Sequence, residues 1–88
     1  MKNLIQSIIQ RVVVRGCIFD AHSIIEYLLL NHSDDYLSSY RTGNTEYYHS
    51  EISKIIATFE GSIIERIGES WSRNIHNNFT KNICWKKI

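Results

Sequence analysis

The sequence predicts an α+β domain of 88 residues, predominantly helical, with three to four helices, a short strand and a C-terminal β-hairpin. Apolar residues recur at helical spacing through most of the chain, but from Trp71 onward they alternate with the period of two that strands show. The glycines fall between these segments, and no repeat or linker divides the chain. We therefore expect residues 1–88 to form a single small domain with one modest core.

The first quarter of the chain predicts a helix, a short strand and the start of a second helix. Leucine, isoleucine and valine at positions 4, 5, 8, 9 and 12 share one helical face, which predicts a helix over residues 2–13. The β-branched and aromatic stretch Val14–Phe19 is broken by Gly16 and predicts a strand. Asp20 can then cap a helix over residues 21–31 through its carboxylate.

The middle of the chain predicts a break and then the clearest helix. The second helix is expected to break near His32, ahead of a short acidic turn. A polar loop over residues 40–44 precedes a helix over residues 45–60, which Asn44 or Thr45 can cap. Because Tyr48 falls on the apolar stripe of this helix, we expect it to be buried.

The last third predicts a short helix and a hairpin. Ser62 and Glu65 have capping-box spacing, and isoleucines at 63, 64 and 67 form a stripe, so a short helix ending at Gly68 is expected. Two alternating runs then flank a turn at residues 76–78. The apolar face of this hairpin is expected to pack on the helices through Trp71, Ile75, Phe79, Ile83 and Trp85.

Charge is unevenly distributed behind a net charge of +1. Residues 1–19 carry three cations and no acid, residues 20–69 carry all nine acids with three cations, and residues 70–88 carry four cations and no acid. If the chain ends meet, they form a basic face opposite an acidic one. The alternative is that these charges only solvate the surface.

Several classes of function lack their sequence signals. No apolar run approaches the ~18 residues of a membrane span, so no membrane association is expected. The two cysteines lie in short apolar runs, which fits a reduced, cytoplasmic protein. Metal-binding spacings such as C-x-x-C and H-E-x-x-H are missing, as are the nucleophile elbow and the phosphate loop. We therefore expect no metal, no cofactor and no enzymatic activity.

The order helix, strand, helix, helix and hairpin resembles that of the winged helix-turn-helix class of DNA-binding domains. The resemblance is architectural and covers most of the chain, with residues 45–60 as the helix that faces the groove and residues 71–87 as the wing. It implies that the small strand pairs with the hairpin, which would bring Cys17 near Cys84 or Trp85. The connection between the second and the groove-facing helix is long and acidic, so the wing is the better candidate.

The resemblance also implies which residues contact nucleic acid. In such domains the groove-facing helix uses its first turns and outer face, and the wing contacts phosphate or the minor groove. On the helix these roles fall to Asn44, Thr45, Tyr47, Ser50 and Lys54. On the hairpin they fall to Arg73, Asn74, His76, Asn77, Asn78 and Lys81, with Lys86 and Lys87 as further cations. Lysine and arginine would contact phosphate, and asparagine or serine would bind bases or the backbone.

Two functional hypotheses follow. The first is a small nucleic-acid-binding protein, such as a transcriptional regulator or a phage or mobile-element protein, that uses its basic ends as a dimer or beside a larger partner. The second is a protein–protein interaction module, such as a small inhibitor or adaptor, whose acidic, tyrosine-rich middle docks a basic partner. Its candidate residues are Asp34, Asp35, Tyr36, Tyr40 and Tyr47. The three tyrosines lie off the helical stripes, so we expect their rings to be exposed.

Overall fold

A computed structural model of the chain describes residues 1–40 and 43–88. Within these residues, four helices and a three-stranded antiparallel sheet confirm the α+β class and the C-terminal hairpin, with roughly half of the chain helical. The helices are α1 (Lys2–Arg11), α2 (Ala21–Asn31), α3 (Ser33–Ser39) and α4 (Thr45–Ala57). The strands are β1 (Ile18–Asp20), β2 (Ile64–Arg73) and β3 (Phe79–Lys87).

Side-chain caps begin the two longest helices where the sequence predicts them. The carboxylate of Asp20 accepts the Ser23 N–H of α2 at 3.1 Å, and the Asn44 side chain accepts the Tyr47 N–H of α4 at 3.0 Å. Helix α2 ends at Asn31, and α3 starts one residue after the predicted break at His32. Two residues of the predicted 40–44 loop, at positions 41 and 42, lie outside the described residues.

The core forms where the helical stripes meet the base of the sheet. Its fully buried members are Ile5 and Ile9 of α1, Ile24, Ile25 and Leu28 of α2, Ile52 and Ile56 of α4, and Ile64 and Trp85 of the sheet. Phe19 packs beside Trp85, with ring centroids 6.0 Å apart. The Trp85 indole N–H donates to Glu60 Oε2 at 2.7 Å, so this buried polar group is paired.

The predicted short helix over residues 62–67 is wrong, because β2 begins at Ile64. The ladder with β3 overrides the local capping-box pattern, and Ile64 is fully buried opposite Lys87. A β-bulge between Arg66 and Gly68 inserts Ile67 as an extra residue. Since an inserted residue shifts the alternation of inward and outward side chains, the strand shows its period of two only beyond the bulge.

The hairpin does not pack on the helices along its whole predicted apolar face. Trp85 is buried and Ile83 is half-buried, but Trp71 and Phe79 are 65% and 66% exposed and Ile75 is also exposed. The strands continue past the helical layer, so burial ends before the tip of the hairpin. Asn82 is half-buried.

The small strand pairs with the hairpin, as the resemblance implies. Strand β1 runs antiparallel to β3, with Asp20 opposite Cys84, and the sheet order is β1-β3-β2. The Cys17 carbonyl, however, accepts the Lys87 N–H, so Cys17 lies beside Lys87 of β3. Lys87 is three residues along β3 from Cys84. Three strand residues span about 10 Å, which exceeds disulfide reach. Cys17 is therefore out of disulfide reach of Cys84, and both thiols are free.

Candidate nucleic-acid interface

A cleft of about 660 Å³ lies between the first turns of α4 and the hairpin. Its α4 wall consists of Thr45, Glu46, His49, Ser50 and Ser53. Its hairpin wall includes Asn74, His76, Asn78, Thr80, Lys81 and Asn82, and His22 and Ile25 of α2 lie between the two walls. The fold thus brings together the two segments to which the sequence analysis assigns nucleic-acid contacts.

The α4 wall contains only part of the predicted helix contacts. Glu46, His49, Ser50 and Ser53 are spaced at i, i+3, i+4 and i+7, which places them on one helix face. Tyr47 instead lines a smaller apolar pocket of about 230 Å³ that also includes Met1. Thr45 and Ser50 therefore remain as predicted contacts that line the cleft.

Two more of the predicted helix residues make other interactions. Lys54 forms a surface ion pair with Glu51 at 3.3 Å, and it is not part of the cleft. The Asn44 side chain accepts the N–H that begins α4. The structure thus uses both residues in the helix itself, whereas the resemblance implies that they contact a ligand.

The asparagines at the hairpin tip build the turn. Asn74 Oδ1 accepts the backbone N–H groups of His76 and Asn78 at 2.9 and 3.1 Å. Asn77 adopts the left-handed conformation, with φ 66°, and its side chain accepts a long hydrogen bond from Arg73. The predicted turn at residues 76–78 is confirmed, and His76 and Asn78 are held beside the cleft.

A cluster of polar side chains, which we call the α2–hairpin cluster, fixes the hairpin to the start of α2. The buried Asp20 carboxylate accepts from the Ser72 hydroxyl. Because the Ser72 hydroxyl proton is donated to Asp20, Ser72 Oγ can only accept from His22, so His22 Nδ1 donates to it at 2.7 Å. The other ring nitrogen, Nε2, then accepts from the Thr80 hydroxyl at 3.3 Å. The Asn82 amide donates to Ser72 Oγ at 3.2 Å.

Sequence reasoning missed the α2–hairpin cluster because its members are about fifty residues apart. The one feature of the sequence that points to this cluster is Asp20. Its carboxylate caps α2 and also accepts a hydrogen bond from the Ser72 hydroxyl. A cap carboxylate has several acceptor sites, so it can hold a second donor from elsewhere in the fold.

Three histidines line the cleft together: His22, His49 and His76. His49 Nε2 shares a hydrogen bond with the Tyr36 hydroxyl at 2.7 Å. Burial lowers the pKa of His49, and the positive charges of His76 and His22 lower it further. Glu46 and Glu69 line the same cleft and add negative charge to it. Within the described chain, no three His, Cys, Asp or Glu side chains are placed to hold a metal ion.

The two basic ends of the chain meet at the base of the hairpin. The Gly16 N–H donates to the Lys87 carbonyl at 2.8 Å, and Lys87 Nζ donates to the Gln10 carbonyl at 2.6 Å. Lys86 lies opposite Glu65 on β2 and opposite Ile18 on β1. Along β3, Lys87 is about 20 Å from Lys81. The predicted cations of the hairpin therefore form two separate groups, one at the base and one at the tip.

The tyrosines of the acidic middle are mostly structural. Tyr36 is 5% exposed and Tyr40 is half-buried, so their expected exposure is wrong. Both rings stack edge-on against Tyr48, each with centroids 5.0 Å apart, and this packing joins α3 to α4. Tyr48 is buried as expected, and burial raises the pKa of both Tyr36 and Tyr48. Tyr47 is exposed as expected.

The acids of the alternative partner surface are exposed in the first turn of α3, at Asp34 and Asp35. Carboxylates in this position are favoured by the helix dipole, which gives them a structural role of their own. With Tyr36 buried and Tyr40 half-buried, Tyr47 is the one exposed member of the three candidate tyrosines.

Comparison of the chain with protein-family models, with curated proteins and with solved structures yields no match. Among the described residues, no helix combines the length and the apolar character that crossing a bilayer requires.

Proposed function

We propose that the protein binds nucleic acid, with the hairpin and the first turns of α4 as the two contacting elements. The cleft between them supports this proposal most directly. It places the hydroxyls of Thr45 and Ser50 across from His76, Asn78 and Lys81. Hydrogen-bonding side chains on one wall and cations beside the other are what a phosphodiester chain with exposed base edges can bind.

Charge assigns different contacts to the two elements. The hairpin tip carries Arg73 and Lys81, both exposed, in a segment from residue 70 onward that contains no acid. The α4 wall carries Glu46, and Glu69 also lines the cleft. Phosphates are therefore expected at the hairpin, and α4 contributes hydrogen bonds from neutral side chains.

The topology also supports a winged-helix-like regulator. The small strand pairs with the hairpin, and the cleft lies beside the helix that such domains direct toward nucleic acid. The two free thiols fit a reducing, cytoplasmic setting. We include a role as a transcriptional regulator or mobile-element protein in the proposal on these grounds.

Fluorescence anisotropy of labelled duplex and single-stranded probes tests the proposal at about 50 and 200 mM salt. We expect binding at low salt that weakens steeply at the higher salt, since phosphate contacts release counterions. The double variant R73A/K81A should weaken binding strongly. The matched control R11A/R15A removes the same charge from exposed residues outside the hairpin and α4 and should have a smaller effect. If neither the duplex nor the single-stranded probe binds at low salt, the proposal is refuted.

A further inference from the structure

The two faces of the hairpin tip carry different chemistry. In the ladder, Trp71 lies opposite Lys81 and Arg73 lies opposite Phe79. Because directly opposed side chains share a face and successive residues alternate, these four side chains lie on one face, which we call the outward face. The other face carries Ser72, Thr80 and Asn82, which bond to each other or to the start of α2.

The outward face leaves two large rings in solvent. Trp71 is 65% exposed and Phe79 is 66% exposed. They occupy diagonal positions of the ladder, which lie about 7 to 8 Å apart. A small protein rarely leaves neighbouring aromatic side chains uncovered without a binding role.

Each ring is paired with a cation across the ladder. Lys81 faces Trp71 and Arg73 faces Phe79, and both cations are exposed. An apolar protein partner gains nothing from two cations within its contact area. A polyanion with flat apolar groups uses all four side chains, because its phosphates pair with the cations while its bases stack on the rings.

We propose that the outward face binds single-stranded nucleic acid, with one base stacked on Trp71, one on Phe79, and phosphates at Arg73 and Lys81. This inference rests on the proposed nucleic-acid function and specifies its substrate class. A duplex hides the faces of its bases, whereas an unpaired strand offers them to exposed rings. The cleft begins beside Lys81, so the strand can continue from the outward face toward Ser50 and His76.

Glu69 sets a limit to the outward face. It is opposite Ile83, two ladder pairs closer to the base than Trp71 and Lys81 and therefore on the same face, and it is exposed. A phosphate at this position would be repelled by the carboxylate. The strand is therefore confined to the tip half of the hairpin, and E69Q should tighten binding.

Tryptophan fluorescence tests the stacking directly, because the two tryptophans differ in exposure. Trp85 is fully buried, so a ligand reaches only Trp71. We would titrate the protein with a thymidine oligomer of about 12 nucleotides, an abasic oligomer of equal length and a duplex. We expect the thymidine oligomer to quench Trp71 and to bind about tenfold more tightly than the abasic oligomer.

Variants separate stacking from general attraction. F79A should weaken binding of the thymidine oligomer about tenfold and leave abasic binding nearly unchanged, and W71A should do the same when followed by anisotropy. L37A is the control, because Leu37 is equally exposed but lies on α3. Emission of Trp85 and far-UV circular dichroism show that each variant is folded.

The outcomes distinguish this inference from the proposed function. Equal affinity for abasic and thymidine oligomers would overturn stacking while leaving nucleic-acid binding intact. No salt-dependent binding of any probe would overturn both. Sedimentation showing a dimer that W71A and F79A abolish, with no oligomer bound, would assign the outward face to a second copy of the chain and also overturn the inference.

Discussion

The base and the tip of the same hairpin have opposite relations to the rest of the molecule. At the base, Ile64 and Trp85 are fully buried, and β3 pairs with strands on both sides. At the tip, Trp71 and Phe79 are exposed, and polar side chains provide the hairpin's bonds to α2. The difference shows that aromatic residues at strand spacing do not by themselves mark a core. Burial depends on where the helical layer ends.

Replacing each tryptophan by alanine is the strongest way to break this comparison. W85A should lower the free energy of unfolding by about 3–5 kcal/mol, because it empties a fully buried site. W71A should change it by less than about 0.5 kcal/mol, because its ring is in solvent. Urea denaturation followed by circular dichroism measures both. Similar losses in the two variants would show that the tip is packed as firmly as the base.

Asp20 tests how the tip is attached. D20A removes the α2 cap and the acceptor of the Ser72 hydroxyl, and should cost about 2–4 kcal/mol in urea denaturation. D20N keeps an oxygen for the Ser23 N–H but loses the charge that Ser72 donates to, so it should cost less. If D20A and D20N were equally mild, Asp20 would not link α2 to the hairpin.

Glu60 tests the polar contact at the base. Hydrogen bonds from Trp85 and Arg66 and the Arg66 charge hold the pKa of Glu60 below its usual 4.5. A carboxyl with a lowered folded pKa stabilises the protein above pH 4.5, and this contribution is lost as pH falls through the folded value. E60Q should cost about 1–3 kcal/mol at neutral pH. E60Q should also remove the loss of stability that Glu60 causes as pH falls, which urea denaturation between pH 3 and 6 measures.

His49 gives the smallest expected effect, in a different pH range. Its pKa lies below the usual 6.5, so folding disfavours its proton, and stability falls as pH drops from 6.5 toward the folded value. Its ring contacts Tyr36 and Tyr48. The other titratable and charged groups that line the same cleft are His22, His76, Glu46, Glu69 and Lys81. H49Q should reduce the change in the free energy of unfolding between pH 7 and 5, measured by urea denaturation. An unchanged slope would show that His49 is not the source of this pH dependence.

Local signals made the helices predictable. Asp20 and Asn44 cap α2 and α4 through bonds that reach only three residues along the chain. The turn is equally local, since Asn74 holds His76 and Asn78. Strand β2 was not predictable in this way. Its pairing with β3 and the bulge at Gly68 depend on a partner that the capping-box pattern does not include.

The candidate site was predictable only in part, for the same reason. His76, Asn78, Lys81 and Ser50 do line one cleft, because the hairpin folds back beside α4. The histidines at 22 and 49 were not candidates, since nothing in their spacing links them to the hairpin. Tyr36 was expected in solvent, but α3 turns it onto Tyr48.

The fold class, the helix caps, the hairpin turn and the separation of charge along the chain can all be read from the amino-acid order alone. These features depend on periodicity and on interactions between residues close in sequence. Which part of the hairpin leaves the helical layer, which tyrosines are buried and which histidines line the cleft became clear only from the three-dimensional fold. Those outcomes depend on contacts between segments fifty or more residues apart, and on how far the helical layer extends over the sheet.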